Sequence, residues 1–139
     1  GRPEVAFDYR YTVGSGKSSS TYTQTVGAFR CAGRNMPDFT LAPEDLGDWF
    51  SELFGGQDID FEHDPVFSKN YRLRGIDEAA IRDFFSVGGT QYLAARPGWT
   101  VHALGEWLLA YRRGKCVGPK KLKDFVWDLQ GLYGALLGI

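Results

Sequence analysis

The sequence predicts an α+β domain, an antiparallel sheet of about five or six strands packed against two or three helices. Three observations predict it. Residues 4–13 (EVAFDYRYTV) alternate with period two, placing Phe7, Tyr9, Tyr11 and Val13 on one side and Asp8, Arg10 and Thr12 on the other. Residues 20–32 (STYTQTVGAFRCA) are rich in Thr, Tyr, Val and Phe, and only Gly, Ser and Lys separate the two runs. Near the other end, Leu122, Phe125, Val126, Leu129, Leu132, Tyr133 and Leu136 recur at helical spacing behind Pro119.

The elements between follow from the same signals. Residues 43–54 read as a helix: Pro43, Glu44 and Asp45 suit its first turn, Leu46, Trp49, Phe50, Leu53 and Phe54 share a face, and Gly55-Gly56 ends it. Ile59, Phe61 and His63 alternate with Asp58, Asp60, Glu62 and Asp64, a short strand with an acidic outer face. Residues 67–74 (FSKNYRLR) form a further strand candidate that Gly75 breaks. Asp77 can cap a helix over 78–86 that buries Ala80, Ile81, Phe84 and Phe85, and 90–95 is a short helix candidate. Residues 99–104 and 106–112 read as a hairpin about Gly105, with a bulge there as the alternative, and Arg113-Gly114-Lys115 as a turn.

The chain of 139 residues is read as one domain, 1–139, long enough to bury roughly two-thirds of its unfolded surface. Aromatic residues make up 15% of it, which argues against disorder, and no apolar run is long enough for a membrane-spanning helix. Cys31 and Cys116 are too few for a disulfide framework and are expected as buried or free thiols. The chain opens Gly1-Arg2-Pro3 without Met, as a processed protein or a fragment would, which leaves room for an upstream anchor.

Gly14-Ser15-Gly16-Lys17-Ser18-Ser19 resembles the end of a phosphate-binding loop, but the fingerprint needs a glycine five residues before Gly16, where Tyr11 stands. The Thr-rich run that follows favours a strand over the required helix, so a hairpin tip is expected and no nucleotide. No catalytic constellation, metal site or cofactor site is assigned. His63 and His102 are not at ligand spacing from each other or from a cysteine. Alternate residues on a strand stand nearly 7 Å apart, so Asp58, Asp60, Glu62 and Asp64 suit a solvated edge better than a shared cation.

Charge layout is more informative. Residues 35–68 carry nine acids and no Lys or Arg, whereas 112–123 carry Arg112, Arg113, Lys115, Lys120, Lys121 and Lys123 and no acid. The lysines at 120, 121 and 123 oppose the dipole at the start of the last helix, at up to about 1 kcal/mol each. The cluster therefore answers something else: pairing with the acidic segment, an anionic membrane surface, or an acidic partner; a solvated face is the plain alternative. The net charge of −1 argues against nucleic acid.

With this order in place, "QDIDFEHDPVFSKNYRLRGIDEAAIRDFF" and "EWLLAYRRGK" resemble an uncharacterised bacterial domain family. Phe67, Tyr71, Leu73, Gly75, Asp77, Glu78, Ala80, Arg82 and Phe85 carry the likeness, and "FDYRYTVGSGK" and "MPDFTLAPEDL" extend it. Members often follow one or two N-terminal membrane helices and lie on the cytoplasmic side; no activity is known. The resemblance implies a fold and an inner-membrane tether upstream of this chain. The expected function is a non-catalytic interaction or scaffold domain whose basic cluster faces an anionic surface or protein partner. The alternatives are a metal-dependent enzyme using Asp58, Asp60 and Glu62 with His63, and an obligate homo-oligomer.

Overall fold

The computed structural model describes residues 5–13, 19–31, 36–44, 57–62, 64–85 and 87–137. Strands β1 (Val5–Val13) and β2 (Ser20–Arg30) pair antiparallel from Val5↔Ala28 to Val13↔Ser20, so the glycine-rich stretch joins two strands and no helix follows it. Next come β3 (Phe39–Pro43), the two-residue β4 (Gln57–Asp58), α1 (Pro65–Asn70), β5 (Tyr71–Gly75), α2 (Glu78–Phe84) and α3 (Val87–Ala95). The β6 (Trp99–Leu104) and β7 (Trp107–Arg112) hairpin is followed by a 3-10 turn, Pro119–Lys121, and by α4 (Leu122–Leu137). Among the described residues, one antiparallel sheet holds the strands in the order β1-β2-β7-β6-β3-β5-β4: six of five residues or more, with β4 at the far edge. The α+β class and the sheet are as expected; four helices are described rather than two or three.

Directly paired residues of an antiparallel sheet share a face. The register therefore puts Phe39, Leu41, Leu73, Trp99, Val101, Ala103, Leu108 and Ala110 together on one face, all of them buried. Helix α4 covers it with Phe125, Leu129, Leu132, Tyr133 and Leu136, the expected stripe except that Leu122 stays 41% exposed and Val126 is only half-buried. Gly27 is the point of closest approach. A Cβ there would collide with the Leu129 side chain, and the Tyr133 hydroxyl donates to the Gly27 carbonyl at 2.7 Å.

Several expected elements are corrected. Residues 67–74 are not one strand: Asp64 accepts a hydrogen bond from the Phe67 amide at 3.1 Å and Pro65 occupies the first turn, so α1 precedes β5. The strand over 58–64 shrinks to β4, although its alternation survives as burial, with Ile59 and Phe61 inside and Asp60 and Glu62 outside. Pro43 ends β3, a strand with no expected counterpart, rather than opening a helix; the rest of the helix expected over 43–54 and the histidine His63 lie outside the described residues beyond Glu44. On the edge strand β1, Phe7 is 41% and Tyr9 52% exposed. Asp77 caps α2 as expected, accepting from the Ala80 amide at 3.1 Å. The β6–β7 connection is a two-residue turn, Gly105-Glu106, rather than a single glycine.

The opposite sheet face carries buried polar groups. His102 lies between Tyr111, whose hydroxyl is 3.0 Å from Nε2, and Thr40, whose hydroxyl is 3.4 Å from Nδ1. Burial pulls its pKa from 6.5 down to about 4.

Two outcomes follow from this architecture. Gly27→Val should lower stability by about 1–3 kcal/mol in urea unfolding, because buried Leu129 has nowhere to retreat. Because the unfolded imidazole takes a proton at higher pH than the folded one, the His102 contribution is complete above about pH 6.5 and is lost as pH falls toward about 4. His102→Gln should flatten the fall in stability between these values, by an amount on the order of 3 kcal/mol.

Candidate functional site

Antiparallel order gathers certain chain ends at one end of the sheet. The end of β3, the starts of β5 and β6 and the end of β7 all meet there, and α1 ends directly before β5. They surround an open groove of about 650 Å³ lined by Lys69, Asn70, Gly98, Arg112, Arg113 and Lys115, among others. A smaller groove of about 220 Å³ shares Arg112 and Lys115 and continues to Gly118, Lys121 and Phe125. The basic surface is thus continuous from the end of α1 to the start of α4.

The two arginines are held in place by aromatic rings. Arg112 is directly opposite Trp99 in the β6–β7 register, and its guanidinium lies 4.0 Å from that buried indole ring. The Arg113 guanidinium lies 4.4 Å from the Tyr22 ring. Such stacking is worth about 0.5–2 kcal/mol, and it occupies the face of a guanidinium while leaving its in-plane N–H groups at the edge. The turn between them and Lys115 is closed by a hydrogen bond that the Lys115 amide donates to the Arg112 carbonyl at 3.1 Å, with Gly114 at φ +73°. It is fastened to β2: the Thr25 amide donates to the Lys115 carbonyl at 3.0 Å, the Gly114 amide to Gln24 Oε1 at 3.2 Å, and the Val117 amide to Thr25 Oγ1 at 2.7 Å.

Tyr71 stands beside this floor, donating to the Arg96 carbonyl at 2.6 Å and accepting from the Trp99 amide at 3.3 Å. Burial pushes the phenol up to about 12, against the opposing pull of the Trp99 and Gly98 backbone and of Arg112, so it stays neutral in ordinary buffers.

Negative charge is sparse here. Glu44 is the one acid among the described residues lining the larger groove, and Arg72 holds it at 2.9 Å. Asp128 reaches Arg112 only at 4.0 Å with both side chains partly in water, a pair worth under about 1 kcal/mol. The expected cluster is therefore partly gathered: Arg112, Arg113 and Lys115 converge, Lys121 extends the surface, and Lys120 and Lys123 are exposed beside it. Among the described residues, Lys120, Lys121 and Lys123 form no ion pair. Lys69 and Asn70 join the site although 40 or more positions away in sequence; no charge run marks them, and only the strand order brings them in.

Of the described acids of the 35–68 segment, Asp38, Asp58 and Asp64 have their carboxylates engaged away from the groove. Asp58 pairs with Arg74 at 2.9 Å, Asp64 caps α1, and Asp38 accepts from the Gly105 amide at 2.9 Å. Asp60 offers its carbonyl to Arg82 at 2.8 Å. Asp64 turns inward as that cap, at 8% exposure, so the expected acidic face does not persist along its length. Among the described residues no three His, Cys, Asp or Glu side chains are grouped as metal ligands would be. Cys31 is buried and Cys116 exposed, and no disulfide joins them.

Comparison with protein-family profiles, with curated proteins and with solved structures finds no match to this chain.

Gly114→Ala should cost about 1 kcal/mol in denaturant unfolding, because alanine pays for the left-handed backbone that this turn requires.

Proposed function

We propose that the chain is a non-catalytic interaction domain that meets an anionic surface or an acidic partner through its basic face. One observation carries this reading. Arg112, Arg113 and Lys115 converge with Lys69 on a groove whose one described acid is already engaged, and Lys120, Lys121 and Lys123 extend the charge outward. Internal pairing with the described acids would have answered the charge run in another way, but Arg72 and Arg74, outside the run, take up Glu44 and Asp58 instead.

The resemblance to the bacterial domain family adds a setting, the cytoplasmic side of a membrane with a tether upstream. No described helix is long and apolar enough to cross a membrane. Each basic residue near an anionic bilayer is worth about 1 kcal/mol, so a local cluster suffices in a chain whose net charge is only −1.

Co-sedimentation with vesicles tests the reading. Binding should require anionic lipid, weaken on going from low to physiological salt, and disappear when Lys120, Lys121 and Lys123 are all replaced by Glu. Absence of binding to anionic vesicles at low salt would remove the membrane surface as the partner. An acidic protein partner should then be captured by the native chain and lost with the same triple variant.

A further inference from the structure

We propose that the groove between α1, the start of β6 and the end of β7 is a binding site for a ligand carrying two or more phosphate groups. Its volume of about 650 Å³ lies within the range of small-molecule sites, roughly 300–1,000 Å³. Cationic side chains line it from separate parts of the chain: Lys69 from α1, Arg112 from the end of β7, and Arg113 and Lys115 from the turn beyond. Asn70 adds a neutral amide at the same wall.

The arrangement suits phosphate better than a single carboxylate. A guanidinium whose face is packed on an aromatic ring presents its edge, and two N–H groups at that edge match two oxygens of one phosphoryl group. Lysines supply point charges that can serve a second group. At Gly98 the backbone has φ +101° and nothing lies within 4 Å of where a Cβ would stand, so a ligand can approach the main chain there without a side chain in the way. Stacking holds the two guanidinium groups, and the fastened turn holds the Lys115 backbone, before any ligand arrives, which limits the ordering that binding would otherwise require.

The site rests on the reading of the basic face as anion-directed, but it is narrower, and the two fail separately. The soluble probes are tripolyphosphate and inositol hexakisphosphate, titrated by calorimetry at physiological salt. The paired variants are Lys69→Ala with Lys115→Ala, inside the groove, and Lys120→Ala with Lys123→Ala, outside it. Each pair removes two positive charges from exposed positions, so fold and overall charge are matched.

The groove pair should weaken tripolyphosphate by about tenfold or more, and the outer pair by less than about twofold. Equal losses in the two pairs would show diffuse charge attraction and overturn the site. Binding of neither soluble probe would overturn it as well, even if anionic vesicles still bind. Vesicles decide the source of the phosphates. Preference for phosphoinositide over phosphatidylserine at equal surface charge, abolished by the groove pair, makes the ligand a lipid headgroup. Binding of the soluble probes without that preference makes it a free polyphosphate.

Discussion

Helix α4 rests on the sheet at the one place where β2 presents no side chain. Gly27 lets Leu129 press against the strand, and Tyr133 then fastens the contact by donating to the Gly27 carbonyl and packing its ring 5.1 Å from that of Phe29. The rest of the molecule is aligned from this contact. With Leu129 fixed, Phe125 one turn earlier meets Trp99 at 6.3 Å between ring centres, and Trp99 in turn carries the Arg112 guanidinium. One missing Cβ thus sets the height of the helix, the position of its lysine-bearing start, and the floor of the basic groove.

The two faces of the sheet serve different ends. The face under α4 is apolar and aromatic; the other buries Gln24, Thr40 and His102. Such groups are tolerable inside when they bond to one another or to the main chain, as Gln24 does in donating to the Tyr9 carbonyl at 2.8 Å. Their directional bonds add register information that interchangeable aliphatic contacts supply less sharply.

How much of this was legible in the sequence depended on how far each signal reaches. The first hairpin, α2, α4 and the β6–β7 hairpin each declare themselves within a dozen or so residues through periodicity, a cap or a turn. β3 did not, being five residues long and ending in Pro43. Phe67, Tyr71 and Leu73 imitate strand alternation, and the Asp64-Pro65 pair that starts α1 is the local signal that outweighs them. The basic run at 112–123 is visible as composition, yet the groove is not: Lys69 reaches it because β3, β5, β6 and β7 alternate in direction, a fact of topology with no local trace.

The β1–β2 ribbon extends beyond the main sheet. β7 pairs with β2 only over Gly27–Arg30, so the stretch before Gly27 reaches the body of the protein through the 113–117 turn: Thr25 and Gln24 bond to it, and Tyr22 lies under Arg113. Ribbon and turn therefore form a single opening unit. Amide protons in this stretch of β2 should exchange together with those of Gly114 and Val117, and ahead of those in the strands beneath α4. Anything that immobilises the turn would slow exchange in the ribbon, so the hairpin acts as a remote gauge of occupancy at the basic end of the sheet.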